Sequence, residues 1–352
     1  MEVLVHPLLL GPNLPPTFYR GAGRIADFRS DRFGVVPRDR PEDWIASTVS
    51  RFGERSTGLT ELPEGGYLRE AVDAAPEQWL GPDAAEWSSQ LPRPSLLVPL
   101  VKFLDAGQRL PVHVHPDDTF ARSRLGAAQG KTEAWVIMEA PADALVYLGW
   151  RQEMPVDRLA DLVERQDVTA MLAAMNAVTV RAGDVVLVPA GTPHAIGQGI
   201  FLTEVQQAAD LSILLEWQPF LADPEQAFGG ATPDVALDCV DVAPLGADVV
   251  DELVVRGVLE RSSGAGRSSL MPDAADGFFA LLLRDGGTLA AGYSTMVVLG
   301  GRGTLAGEDW TRDVERGMTL AVPYAAGPVR VSGEVSVAAF TPGARRTAVA
   351  GA

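Results

Sequence analysis

Three of the four histidines in this 352-residue chain fall in two short segments, LPVHVHPDD (110–118) and PAGTPHAI (189–196). Alternate side chains of a β-strand share one face, so His113 and His115 project together while Val112 and Val114 point the other way. In GKTEAWVIM (130–138) the same period puts Lys131, Glu133 and Trp135 on one face. A single glutamate on an inward strand face is costly to bury unless a cation or donors meet it. His113, His115, Glu133 and His194 therefore form a candidate site for one metal ion. Three imidazoles and a carboxylate suit Zn²⁺, and equally Fe²⁺, Mn²⁺, Co²⁺ or Ni²⁺. In FLTEVQQAAD (201–210), Glu204 shares a face with Leu202 and Gln206. His6 has no partner pattern and reads as structural.

These side chains need strands to hold them. The chain has 36 glycines and 26 prolines, which separate short β-branched runs such as 178–180, 185–188 and 296–299, the pattern of a sandwich or barrel. Helical periodicity is confined to 69–80 and 155–175, the second reading as an insertion between strand-rich blocks. GDVVLVP (183–189) and GMTLAVP (317–323) repeat one signal: glycine, apolar strand, proline. Eleven residues after the glycine stands His194 in the first copy and Pro328 in the second. We therefore expect a metal-binding catalytic domain over 1–225, a linker over 226–250, and a degenerate second domain over 251–352 without metal ligands.

Lys plus Arg number 29 against 46 Asp plus Glu, a net charge of −17, which disfavours nucleic acid and anionic membrane surfaces as partners. Cys239 is the only cysteine, so no intrachain disulfide forms and a reduced cytoplasm is the expected setting. The apolar run 3–10 is far shorter than the roughly 20 residues a bilayer requires, and we read no signal peptide or membrane span.

Taken together, VPLVKFLDAGQRLPVHVHPDD (98–118), GKTEAWVIM, GTPHAIGQGI (191–200) and FLTEVQQAAD resemble the type I mannose-6-phosphate isomerases, zinc enzymes of the cupin superfamily that interconvert an aldose phosphate and its ketose. The likeness is strong over 41–218 and weak onward to about 342. It implies an all-β double cupin with a small helical insertion and one Zn²⁺ per chain. His115, Glu133 and His194 would be ligands, and His113 would stand where the family usually has a ligand glutamine. Lys131 and Glu204 would lie in the sugar pocket, Glu204 to shuttle the proton and Lys131 to stabilise enediolate charge, with Gln206 and Trp135 as further sugar contacts. The implied partner is mannose 6-phosphate, fructose 6-phosphate or a related sugar.

Two positions depart from the family pattern. Pro111 replaces a serine that serves the substrate phosphate, and Ile213 and Leu214 replace a Tyr-Arg pair. Proline has neither hydroxyl nor N–H, and leucine cannot supply an arginine's fork. Losing two such contacts would cost a dianion about 2–4 kcal/mol, roughly 30- to 1000-fold in affinity. An unphosphorylated sugar is thus a serious alternative substrate. Two other functions fit the same residues: a non-catalytic sugar-binding regulatory cupin, and a cupin oxidoreductase using Fe or Mn.

Overall fold

The computed structural model describes residues 6–29, 34–89, 91–218, 220–221, 224–260 and 269–344. Within them the turn-bounded apolar runs become strands, and the strands form three antiparallel sheets. A six-stranded sheet runs in the order Val254–Val255, Val185–Val188, Glu133–Glu139, Phe201–Gln206, Leu100–Asp105, Glu42–Ile45. A five-stranded sheet runs Ile213–Leu214, His113–Val114, His194–Ile196, Leu145–Trp150, Met175–Thr179. The third, of seven strands, is built mainly from the C-terminal part, with Ser294–Ala306 and Val329–Pro342 as its long members.

Leu100–Asp105, Phe201–Gln206 and Val185–Val188 are buried at every residue. On one face of the six-stranded sheet, Val101, Phe103, Phe201 and Val205 join a core with Leu281, Val297 and Phe340 of the C-terminal sheet. Phe28, Phe103 and Phe201 stack there with centroids 5.0–5.9 Å apart. The opposite face carries Lys102, Glu133 and Glu204, so its burial is polar and needs charge partners. Both copies of the repeated signal form a strand after a glycine of left-handed φ: Val185–Val188 after Gly183 at 90°, and Thr319–Val322 after Gly317 at 86°.

The expected insertion is present as two helices, Val156–Glu164 and Val168–Ala174, burying Leu159, Leu162, Val163 and Met171. The single helix expected over 69–80 is instead two, Leu68–Ala74 and Pro76–Leu80, because Pro76 can open a helix but not continue one.

Two features bear on the expected domain division. Residues 226–250 are not a free linker: they hold the helix Pro233–Leu237, and Phe228, Ala236, Leu237, Cys239 and Val240 pack on Val112, Val114 and Ile213 behind the histidine strands. The boundary is also crossed in both directions. Leu8–Leu10 adds a strand to the C-terminal sheet through Leu8↔Ala321 and Leu10↔Thr319, while Val254 and Val255 pair with Val186 and Val185. An open sheet edge exposes unpaired backbone, and each module covers an edge of the other. Among the described residues no helix is long and apolar enough to cross a membrane.

Candidate metal centre

Register builds the centre. His113 lies directly opposite His194 on one neighbouring strand and Leu214 on the other, and His115 comes two residues later. The ring centroids are 4.0 Å apart for His113 and His194, 4.8 Å for His115 and His194, and 5.0 Å for His113 and His115. One ligand atom from each of the three lies within 4.8 Å of the others.

Each imidazole is oriented by a backbone carbonyl at Nδ1: Pro111 O at 2.9 Å for His113, Leu211 O at 2.8 Å for His115, Thr192 O at 2.8 Å for His194. A ring that donates from Nδ1 and stays neutral presents a lone pair at Nε2. The rings do stay neutral. Burial first, then the Lys131 charge, lowers the His115 pKa to about 3, and burial lowers that of His194 to about 3 although Glu133 opposes it. Burial and His194 hold His113 well below the usual imidazole range.

Glu133 faces these lone pairs, with Oε2 3.0 Å from His115 Nε2 and Oε1 3.5 Å from His194 Nε2. His115 Nε2, His194 Nε2 and Glu133 Oε2 are buried without a hydrogen-bond partner. Lys131 Nζ sits 3.0 Å from Glu133 Oε2 but off the hydrogen-bonding direction. Acceptor lone pairs crowded together in a dry site repel unless a cation lies among them, so the donor set fits a divalent metal. Burial by itself would raise the Glu133 pKa; Lys131 and His115 outweigh it and keep the carboxyl ionised.

The centre opens on a cavity with about 90 Å³ open to water, onto which His113, Lys131, Glu133 and Glu204 all face. Lys102 lies across the ladder from both Glu204 and Trp44. Its ammonium is 3.5 Å from Glu204, 3.7 Å from Asp210 and 3.8 Å from Glu42, and 4.6 Å from the Trp44 ring centroid. Burial disfavours the Lys102 charge, but Glu42 and Glu204 outweigh it and raise its pKa. Lys131 is 3.9 Å from Glu204. Burial and then the Glu133 charge raise the Glu204 pKa towards neutrality.

Pro111 and Leu214 line this cavity, as expected from the sequence. Trp135 and Gln206 do not. Trp135 is fully buried, and its Nε1 donates to Glu133 Oε1 at 2.8 Å, so it positions the carboxylate from behind. Gln206, opposite Glu133 in the ladder and also fully buried, turns its amide to the Ala209 carbonyl. Sharing a strand face told which way these side chains point, not how far the cavity extends along it. Tyr19, Glu42, Trp44 and Arg51 also line the cavity, and sequence reasoning missed them; their one signal was the Glu42/Trp44 alternation, which no ligand motif accompanies. Asp117 caps the helix Asp118–Arg124, its side chain accepting from Phe120 N.

Histidine-bearing strands facing a carboxylate-bearing sheet define the class by fold and site: an all-β, cupin-like fold with a metal-capable three-histidine centre. The resemblance noted in the sequence holds for named relatives and for fold. The mannose-6-phosphate isomerase ManA of Bacillus subtilis is 39% identical over 116 residues, 33% of this chain and 36% of that protein. A second B. subtilis protein, named "Probable mannose-6-phosphate isomerase GmuF", is 36% identical over 208 residues, 59% of this chain and 60% of that protein. The chain thus matches less than two thirds of either relative's length. A crystal structure of mannose 6-phosphate isomerase from B. subtilis superposes with TM-score 0.69 at 18% identity, covering 95% of this chain and 99% of that one. A mannose 6-phosphate isomerase structure bound with zinc and yttrium gives TM-score 0.66 at 15% identity, over 96% and 100%. At those identities the structural likeness is one of fold. No family model matches the chain.

Proposed function

We propose that the chain is a zinc-dependent aldose–ketose isomerase acting on mannose, fructose or a related sugar, with one metal per chain held by His113, His115, Glu133 and His194. The observation that carries it is the set of buried, partnerless lone pairs at His115, His194 and Glu133 beside a cavity that also holds Glu204 and two lysines. A bound Zn²⁺ would supply Lewis acidity towards the sugar's carbonyl and neighbouring hydroxyl. The remaining work falls to the chain. Glu204, a carboxyl tuned towards neutrality, takes the proton from one carbon of the open-chain sugar and returns it to the neighbour. The Lys131 ammonium stabilises the enediolate charge that develops between those steps. The Nδ1 bonds to Pro111, Leu211 and Thr192 keep the three imidazoles turned towards the cavity end where this occurs.

Among the described residues the cavity offers no free clamp for a phosphate. Lys102 and Lys131 are committed to carboxylates at 3.0–3.9 Å, and Arg51 lies 3.5 Å from Glu54. We therefore expect free and 6-phosphorylated forms of the preferred sugar to show similar kcat/KM, or the free form to win. A panel assay on the zinc-loaded protein tests both levels. Turnover of aldose to ketose that disappears in Glu204→Gln supports the isomerase. A preference for the 6-phosphate above about 30-fold, the effect of about 2 kcal/mol of charge-assisted bonding, would mean that another cation has replaced the missing arginine. Metal analysis should return one equivalent, lost in the His115→Ala/His194→Ala double variant.

A further inference from the structure

The inner cavity does not end at Leu214. Phe18, Arg51, Asp210, Ser212 and Leu214 line both it and a larger outer chamber with about 570 Å³ open to water. Phe52 and Leu221 belong to the outer chamber alone. Phe52 and Phe18 are 45% and 40% exposed, two of the few large apolar side chains left in water among the described residues, and both stand at this mouth. Phe18 is held by edge contacts to Tyr19 and Phe220 at 5.6 and 6.0 Å. Two charged residues share this lining, each with a partner: Arg51 beside Glu54 at 3.5 Å, and Asp210 beside Lys102 at 3.7 Å while accepting from Phe52 N at 3.3 Å. Among the described residues the chamber lining holds one cation, Arg51, against two acidic residues, Asp210 and Glu225, which disfavours an anionic occupant.

We propose that the outer chamber is a subsite for a second, neutral glycosyl unit, so that the substrate is the reducing end of a disaccharide whose far unit is joined through O4 or O6 of the sugar in the inner cavity. The inference rests on reading the inner cavity as the isomerase site. A pyranose ring has C–H faces that stack on aromatic side chains and equatorial hydroxyls that bond to paired charges, which is the combination the chamber presents. Leu214 then has a purpose: it adds an apolar wall to a passage that Arg51, Asp210 and Ser212 also line, where a phosphate-reading side chain would block a glycosidic link.

The test compares mannose, a 1,4-linked mannobiose, a 1,6-linked mannobiose and mannose 6-phosphate on the zinc-loaded protein and on Phe52→Ala. Because Phe52 is exposed, its truncation should leave the fold intact, checked by metal content. The expected result is a kcat/KM for one mannobiose about fivefold or more above that for mannose, the size of one aromatic contact, with the ratio falling near one in Phe52→Ala. Mannose matching both disaccharides, or mannose 6-phosphate exceeding all three sugars by more than about 30-fold, overturns the subsite. If no sugar is isomerised, the functional proposal fails by itself and calorimetry decides the subsite. Tighter binding of a mannobiose than of mannose, lost in Phe52→Ala, supports it; equal affinity or no binding overturns it.

Discussion

His115 and His194 enter the folded chain as neutral rings, and this has a signed consequence for the metal-free protein. Their folded pKa values of about 3 lie below the usual 6.5, so between those limits the unfolded chain binds more protons than the folded one. Their contribution to stability is therefore complete above pH 6.5 and is lost as pH falls towards 3, at up to about 1.4 kcal/mol per pH unit for each ring. Urea unfolding of the apo protein across this range should show a falling midpoint, with a flatter profile in His115→Gln/His194→Gln. Glu133 is argued on the same scale. Its Oε2 has no hydrogen-bond donor and stands 3.0 Å from His115 Nε2, so Glu133→Gln should weaken metal binding by about 10-fold or more, read by competition with a chromogenic chelator.

At the scale of elements, Gln166 ties the helical insertion to the segment that follows the strand Ile213–Leu214. Its Oε1 accepts from Trp217 N at 2.8 Å and Gln218 N at 3.0 Å, and its Nε2 donates to Val163 O at 2.6 Å and Leu215 O at 3.0 Å. The residue holds a left-handed φ of 51°, uncommon outside glycine, so these bonds also fix a backbone the chain would otherwise leave. Gln166→Ala should destabilise the protein by about 2 kcal/mol with metal content retained, since none of the Gln166 bonds goes to a histidine or to Glu133. Thermal unfolding with parallel zinc analysis checks both parts.

On the scale of the molecule, Arg29 links Asp43, in the six-stranded sheet's strand Glu42–Ile45, to the C-terminal sheet. Its Nε meets Asp43 at 2.6 Å in a pair only 2% and 0% exposed, and its Nη1 donates to Thr319 Oγ1 at 2.6 Å in the C-terminal sheet. Arg29→Ala strands the Asp43 charge in the interior and should cost about 3–5 kcal/mol, measured by denaturant unfolding. Arg29→Met combined with Asp43→Leu should recover much of that loss, because apolar replacement of both partners removes the desolvation problem. Cys239 offers an independent probe of global opening. Burial raises its thiol pKa to about 12, so alkylation at pH 8 should proceed only at the rate at which the chain unfolds.

Local periodicity in the sequence was enough to determine the strands between glycine and proline turns, the face-sharing pairs His113 with His115 and Lys131 with Glu133, and a second repeat with Pro328 where the first has His194. The sequence also identified Pro111 and Leu214 as departures, since both are read one residue at a time against a pattern. It could not show that Trp135 and Gln206 stop short of the cavity, because a strand face has no end marked in sequence. Nor could it place Glu42, Trp44 and Arg51 around the same cavity as Lys102 and Leu214, which depends on register between strands far apart in the chain. Residues 226–250 looked like a linker because Ala, Pro, Asp and Gly favour turns. Only the tertiary structure decided that Phe228, Leu237 and Val240 cover the back of the histidine strands, since burial belongs to the assembled surfaces and not to the segment.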